Sequence, residues 1–219
     1  MRTHILGAGA VALVALTVGS TAGKADAALL GITSRNPDVS SNSVWMTYTV
    51  TDAVNHFGTL TAHGSASLLT PPVGSPAAIS NGTFDLTAKL HYGPLSTDPV
   101  TAVAGSSLSI TGDAGSGAET FFSSSTLSQF GFSTSKATYD FWFSPGAGTK
   151  DASNGPIGVI LHEDPYDNAG YLAGLFTQNF GNGTDIRGYA DAFPVPEPAT
   201  VTLLGTAVIP LLLRRRRKA

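Results

Sequence analysis

The chain has 219 residues, no cysteine and a formal net charge of −3; that length allows one main domain and little more, and the lack of thiols excludes disulfide staples, thiolate metal sites and a cysteine nucleophile. The charge is segregated: residues 28–198 hold five Lys/Arg against fourteen Asp/Glu, a net −9, while five cations crowd into Arg214, Arg215, Arg216, Arg217 and Lys218. An acidic middle excludes a nucleic-acid partner held by its phosphates, because that needs a basic face.

The first 27 residues read as a secretory signal peptide. Arg2 supplies a positive start, Ile5 to Val18 an apolar core of fourteen residues, and Ser20 to Ala27 a small, polar end. Ala25-Asp26-Ala27 places small residues where signal peptidase closes on the chain, so the expected cut lies after Ala27 and leaves Ala28 first. Ser20-Thr21-Ala22 offers an alternative cut. The apolar core is short for a membrane span of ~20 residues.

Residues 28–194 form the passenger, rich in Gly, Ser, Thr and Ala, with no sustained helical period. Several segments alternate with period two, which sets one strand face on a core and the other toward water. Val44, Met46, Tyr48 and Val50 share one face, and Trp45, Thr47 and Thr49 the other. Phe84, Leu86, Ala88 and Leu90 oppose Asp85, Thr87, Lys89 and His91. Ala137, Tyr139, Phe141 and Phe143 oppose Thr138, Asp140 and Trp142. Further strands are expected at Phe57–His63, Ser107–Thr111, Glu119–Leu127, Ile157–His162, Tyr171–Phe180 and Ile186–Phe193. Asn81-Gly82, Asn154-Gly155 and Asn182-Gly183 are turn dipeptides, since both residues tolerate positive φ. Pro71-Pro72 and Pro76 interrupt the chain. About nine strands with little helix predict an all-β, antiparallel β-sandwich or jelly-roll-like domain, with a stacked-strand solenoid as the alternative.

Candidate sites within the passenger are few. Trp45 and Trp142 both sit on the polar faces of their strands. Rings among hydroxyls and a carboxylate suit the apolar face and polar rim of a sugar; the alternative is that a loop or second sheet covers that face and both rings are core. His162-Glu163-Asp164-Pro165-Tyr166-Asp167-Asn168 is the densest polar cluster, and Glu163, Asp164 and Asp167 are candidate ligands for a hard cation such as Ca²⁺. The segment lacks a calcium-loop consensus and sits where a turn is expected. His63 and His91 read as solvent-facing, and no histidine pair has the spacing of a zinc protease. No Gly-x-Ser-x-Gly elbow is present. Gly112-Asp113-Ala114-Gly115-Ser116-Gly117 lacks the Lys-Ser/Thr of a phosphate loop and reads as a turn. No catalytic constellation and no cofactor motif is found.

The chain ends VPEPATVTLLGTAVIPLLLRRRRKA, residues 195–219. Prolines at 194, 196 and 198 bias the chain toward an extended form. A helix is expected over about Ala199–Leu213, with Pro210 weakening its last turn. At ~1.5 Å per residue it reaches ~22 Å, short of a ~30 Å hydrocarbon core, so it spans only where the bilayer thins or its ends recruit polar neighbours. The basic tail, 214–219, stays on the cytoplasmic side by the positive-inside rule.

Val195-Pro196-Glu197-Pro198, one apolar helix and a terminal Arg cluster resemble the PEP-CTERM sorting signal. The resemblance covers residues 195–219 and is accompanied, as in that family, by an N-terminal signal peptide. It implies recognition by an exosortase, a membrane-embedded cysteine protease/transpeptidase, in a Gram-negative-type bacterium that makes exopolysaccharide or biofilm matrix. The family sorts unrelated passengers, so it assigns no activity to this one. The expected partners are signal peptidase and exosortase, and the membrane before processing, with polysaccharide as a candidate ligand. The expected role is an exported, non-enzymatic protein of the cell envelope or matrix; a carbohydrate-binding module and an extracellular hydrolase are the alternatives.

Overall fold

Apolar residues at every second position give this chain its strands, and the structure folds them into one antiparallel sheet. It is a computed structural model that describes residues 29–94, 99–133, 137–146, 155–164, 176–181 and 186–195. The strands are β1 (Asp38–Asp52), β2 (Phe57–Thr70), β3 (Ala77–Ala78), β4 (Ser80–His91), β5 (Thr101–Ala102), β6 (Ser107–Asp113), β7 (Glu119–Ser124), β8 (Leu127–Ser133), β9 (Thr138–Phe143), β10 (Ile157–Glu163) and β11 (Ile186–Pro194). No helix occurs among the described residues, so none there is long and apolar enough to cross a membrane. The expected signal peptide, residues 1–27, and the expected membrane helix, about 199–213, lie outside the described residues.

The strand order is β7-β6-β4-β2-β1-β11-β10-β9-β8, with β3 on β2 and β5 on β4. Long strands that follow each other in sequence are neighbours in the sheet, except β7 and β8, which form its two edges. Those edges are joined by only Ser125 and Thr126. A link so short brings the end of β7 near the start of β8 and forces the sheet to curl, and the all-β expectation holds in this form. The connectivity is a next-neighbour meander, not the double Greek key of a jelly roll.

The inner face carries the core. Val44, Met46, Tyr48, Leu60, Phe84, Leu86, Ala88, Leu90, Leu108, Ile110, Tyr139, Phe141, Phe143, Val159 and Leu161 are all buried. In β1 a bulge sits between Ser41 and Val44; Val39 and Ser41 face inward before it, and Val44 resumes the pattern after it. One extra residue thus keeps both halves of the strand apolar side in.

One end of the curl is filled by the turn at residues 176–181. Phe176 packs edge-on to Phe132 and Phe130 of β8 and to Tyr48 of β1, while Phe180 stacks on Tyr48 at 5.0 Å. Tyr48 and Phe180 exchange backbone hydrogen bonds of 2.9 and 3.0 Å. The described part of the expected strand Tyr171–Phe180 is therefore a turn with a single bridge to β1. Its apolar residues serve as a plug between opposite walls, which explains their strand-like composition.

Two more expectations change. Asn81-Gly82 makes no turn between strands: it is a bulge inside β4, with Asn81 at φ 49 and the register shifting between Ser80 and Thr83. The segment expected as Glu119–Leu127 divides into β7 and the start of β8, because the chain must leave one edge of the sheet for the other.

Candidate functional site

Cross-strand register places a row of side chains on the outer face of the sheet. Trp45 lies opposite His63 of β2 and opposite Arg187 of β11. His63 lies opposite Asp85 of β4, and Asp85 opposite Ser109 of β6. Beyond Arg187 comes Asp164, whose amide donates to the Arg187 carbonyl at 2.9 Å. The Arg187 guanidinium carbon sits 4.6 Å from the centre of the Trp45 ring, a cation–π contact of roughly 0.5–1 kcal/mol at an open site. Arg187, His63 and Asp85 are exposed, and Trp45 is partly exposed. The neighbouring row is hydroxylic: Thr47, Thr61, Thr87 and Ser107 lie opposite one another in turn. Neither reading of Trp45 from sequence is complete, since the ring is outside the core yet half covered by a neighbouring cation.

Trp142 stands on the same outer face, opposite Gly158 of β10, which lies opposite Phe193 of β11. It is partly exposed, whereas Phe193 is buried at 1% exposure. Gly158 makes this possible: a Cβ there would stand 2.8 Å from the Val195 side chain and 2.9 Å from the Phe193 ring. The two tryptophans do not form one platform. Between their rows lie six positions along β10, or ~20 Å, and three strand spacings, or ~14 Å.

The acidic candidates separate as well. Glu163 faces the core at 5% exposure, and its Oε1 accepts a hydrogen bond from the Tyr139 hydroxyl at 3.1 Å. Burial pushes its carboxyl up to about 7, the Tyr139 hydrogen bond acting in the opposite sense. The same burial, then the Glu163 carboxylate, raises the Tyr139 hydroxyl well above its usual range. Asp164 follows on the other side of the strand by alternation. The two therefore do not converge on a cation, and Asp167 lies outside the described residues. Among the described residues no group of three His, Asp or Glu could hold a metal ion.

His63 is exposed as expected; His91 is half-buried, edge-on to Phe57 at 5.1 Å. His162 stacks on Tyr189 at 4.7 Å and shares a 2.9 Å hydrogen bond through Nδ1 with Thr138; burial lowers its pKa, opposed by Asp191. The glycine-rich segment after β6 is a turn. The Asp113 carboxylate accepts the Gly115 and Gly117 amides at 2.7 and 2.9 Å, so the chain's own anion fills the place a phosphate would take. Sequence reading missed the proximity of Asp38 and Asp191, which only strand register reveals. Burial, then the Asp191 charge, raise Asp38 to about 6.

Val195, the first residue of the expected sorting motif, follows β11 at the end of the sheet. Its amide donates to the Pro156 carbonyl at 2.7 Å. Pro196, Glu197, Pro198, the basic tail from Arg214 to Lys218, and Ala25, Ala27 and Ala28 at the expected signal cut lie outside the described residues.

Comparison with protein-family models, with curated proteins and with solved structures finds no match for this chain.

Proposed function

We propose that this chain is an exported, non-enzymatic passenger of the cell envelope or extracellular matrix. An N-terminal signal peptide delivers it, and a PEP-CTERM-type signal acted on by an exosortase sorts it. The observation that carries this reading is the order of features in residues 195–219: Pro-Glu-Pro, an apolar stretch, then four arginines and a lysine. The folded part is read as a sandwich-like curl whose two walls enclose one aromatic core, and whose Ser/Thr-rich outer face is the surface displayed. Mass spectrometry of the mature protein from its native host tests the reading. The expected species begins at Ala28 and has lost the segment after the sorting motif. A product retaining both Met1 and Ala219 overturns it.

A second reading is a carbohydrate-binding module. It is favoured by one observation, the partly exposed Trp45 ring among charged and hydroxylic side chains on the outer face. Its test is binding to a panel of polysaccharides.

A further inference from the structure

We infer that the outer-face row centred on Trp45, and not Trp142, is the contact surface for an uncharged polysaccharide chain; this rests on the carbohydrate reading above. The row runs Asp164, Arg187, Trp45, His63, Asp85 across five neighbouring strands, and at ~4.8 Å per strand it extends ~19 Å. That length fits an extended polymer lying across the strands.

The chemistry of the row selects the occupant. A sugar ring offers C–H faces and a rim of hydroxyls that both donate and accept. Trp45 supplies an apolar ring at the centre. His63 supplies a donor beside it and Asp85 an acceptor beyond, while Arg187 packs against the ring from the other side. A greasy protein partner is disfavoured, because Arg187 and Asp164 on one side of the ring and Asp85 on the other would be buried with it. A polyanion is disfavoured by the carboxylates at both ends and by the net −9 of residues 28–198, which repel it. Thr47 and Thr61 continue a hydroxylic surface beside the row. Trp142 lacks this setting: its flanks are Gly158 and, beyond that, the buried Phe193.

The test uses the full chain in a detergent without sugar headgroups, run by affinity electrophoresis through gels containing dextran, galactomannan, hydroxyethyl cellulose or alginate. Retardation is expected in at least one of the three neutral polymers. Trp45→Ala should weaken it about tenfold or more, the loss of roughly 1.4 kcal/mol, while Trp142→Ala leaves it intact. Retardation abolished by Trp142→Ala and not by Trp45→Ala overturns the inference and leaves the carbohydrate reading standing. Retardation by alginate alone overturns the uncharged class. No retardation by any polymer overturns both readings. Because Trp45→Ala could disturb the sheet, Trp142→Phe provides an independent readout, leaving Trp45 as the one indole of the chain's two. Its fluorescence should become less accessible to acrylamide when the retarding polymer is added; unchanged quenching in a bound sample overturns the inference.

Discussion

The Tyr48 hydroxyl occupies the space that a side chain at Gly58 would need. A Cβ at position 58 would stand 1.9 Å from that oxygen and 2.3 Å from the ring carbon bearing it. Tyr48 cannot swing aside, because its hydroxyl donates to the Phe176 carbonyl at 2.9 Å and its ring is stacked on Phe180. Gly58→Ala is therefore expected to destabilise the fold by ~2–3 kcal/mol through overpacking. For a chain of this size that lowers the melting temperature by roughly 5–10 °C. Thermal unfolding followed by circular dichroism checks it, with Thr59→Ala on the outer face as the silent comparison.

Stability should fall as pH rises through neutrality, and Glu163 is the main cause. Its carboxyl is raised from 4.5 to about 7 in the folded state, so folding favours the protonated form. The contribution is complete below the unfolded value and disappears as pH climbs through the folded one. A shift of this size is worth at most roughly 3 kcal/mol. Urea midpoints measured at about pH 5 and about pH 8 should differ in that direction. Glu163→Gln, which keeps an oxygen for the Tyr139 hydroxyl, should flatten most of the difference. Asp38, raised to about 6, supplies a residual slope of the same sign.

Gly82 should be more sensitive than the neighbour that forms its bulge. A Cβ at Gly82 would lie 2.0 Å from the Ala66 carbonyl oxygen and 2.9 Å from its carbon, and backbone of a paired strand cannot retreat. Gly82→Ala is expected to cost ~3 kcal/mol or more. Asn81 holds φ 49, a region that asparagine tolerates better than alanine; Asn81→Ala should cost ~1 kcal/mol and Asn81→Gly nearly nothing. Chemical denaturation of the three variants gives the ranking.

Processing should accelerate when the sorting motif is moved away from the sheet. Among the described residues Val195 is the last in a backbone hydrogen bond, and on the proposed reading it is also the first of the motif, so an exosortase would work flush against folded structure. A flexible Gly/Ser insert of ~6 residues after Val195 adds up to ~20 Å of reach. The fraction of unprocessed precursor, measured in the native host by intact-mass spectrometry, should drop. An unchanged fraction would mean that the motif is reached in place.

Local patterning made the strand faces legible. The Val44/Met46/Tyr48 and Phe84/Leu86/Ala88/Leu90 faces are the buried ones, because period-two alternation is a property of a strand alone. The outer face of β9 is less readable: Thr138 and Asp140 are buried, and Thr138 is hydrogen-bonded to His162 of the neighbouring β10, a contact set by register between distant segments. At Asn81-Gly82 the tolerance of positive φ was visible, but a bulge and a turn draw on the same residues. β8 escaped notice because Gln129 and Gly131 blur its alternation. The pairing of Trp45 with Arg187, and the wide separation of Trp45 from Trp142, come from register between distant segments, which no window of sequence contains.

The meander closes where β1 meets β11. Val39 to Met46 pair with Ala192 to Ile186, so an early passenger strand completes its ladder only with the last. Until β11 is made, the β1 edge of the amino-terminal half stands open, with a long row of unpaired amides and carbonyls exposed to other chains. Such a contact also forms slowly, because the intervening loop must be closed before it is rewarded. The topology thus acts as a completeness check on the chain. A chain that stalls or is cut before β11 leaves its central strand unprotected, and such a fragment belongs among aggregates and proteolysis products.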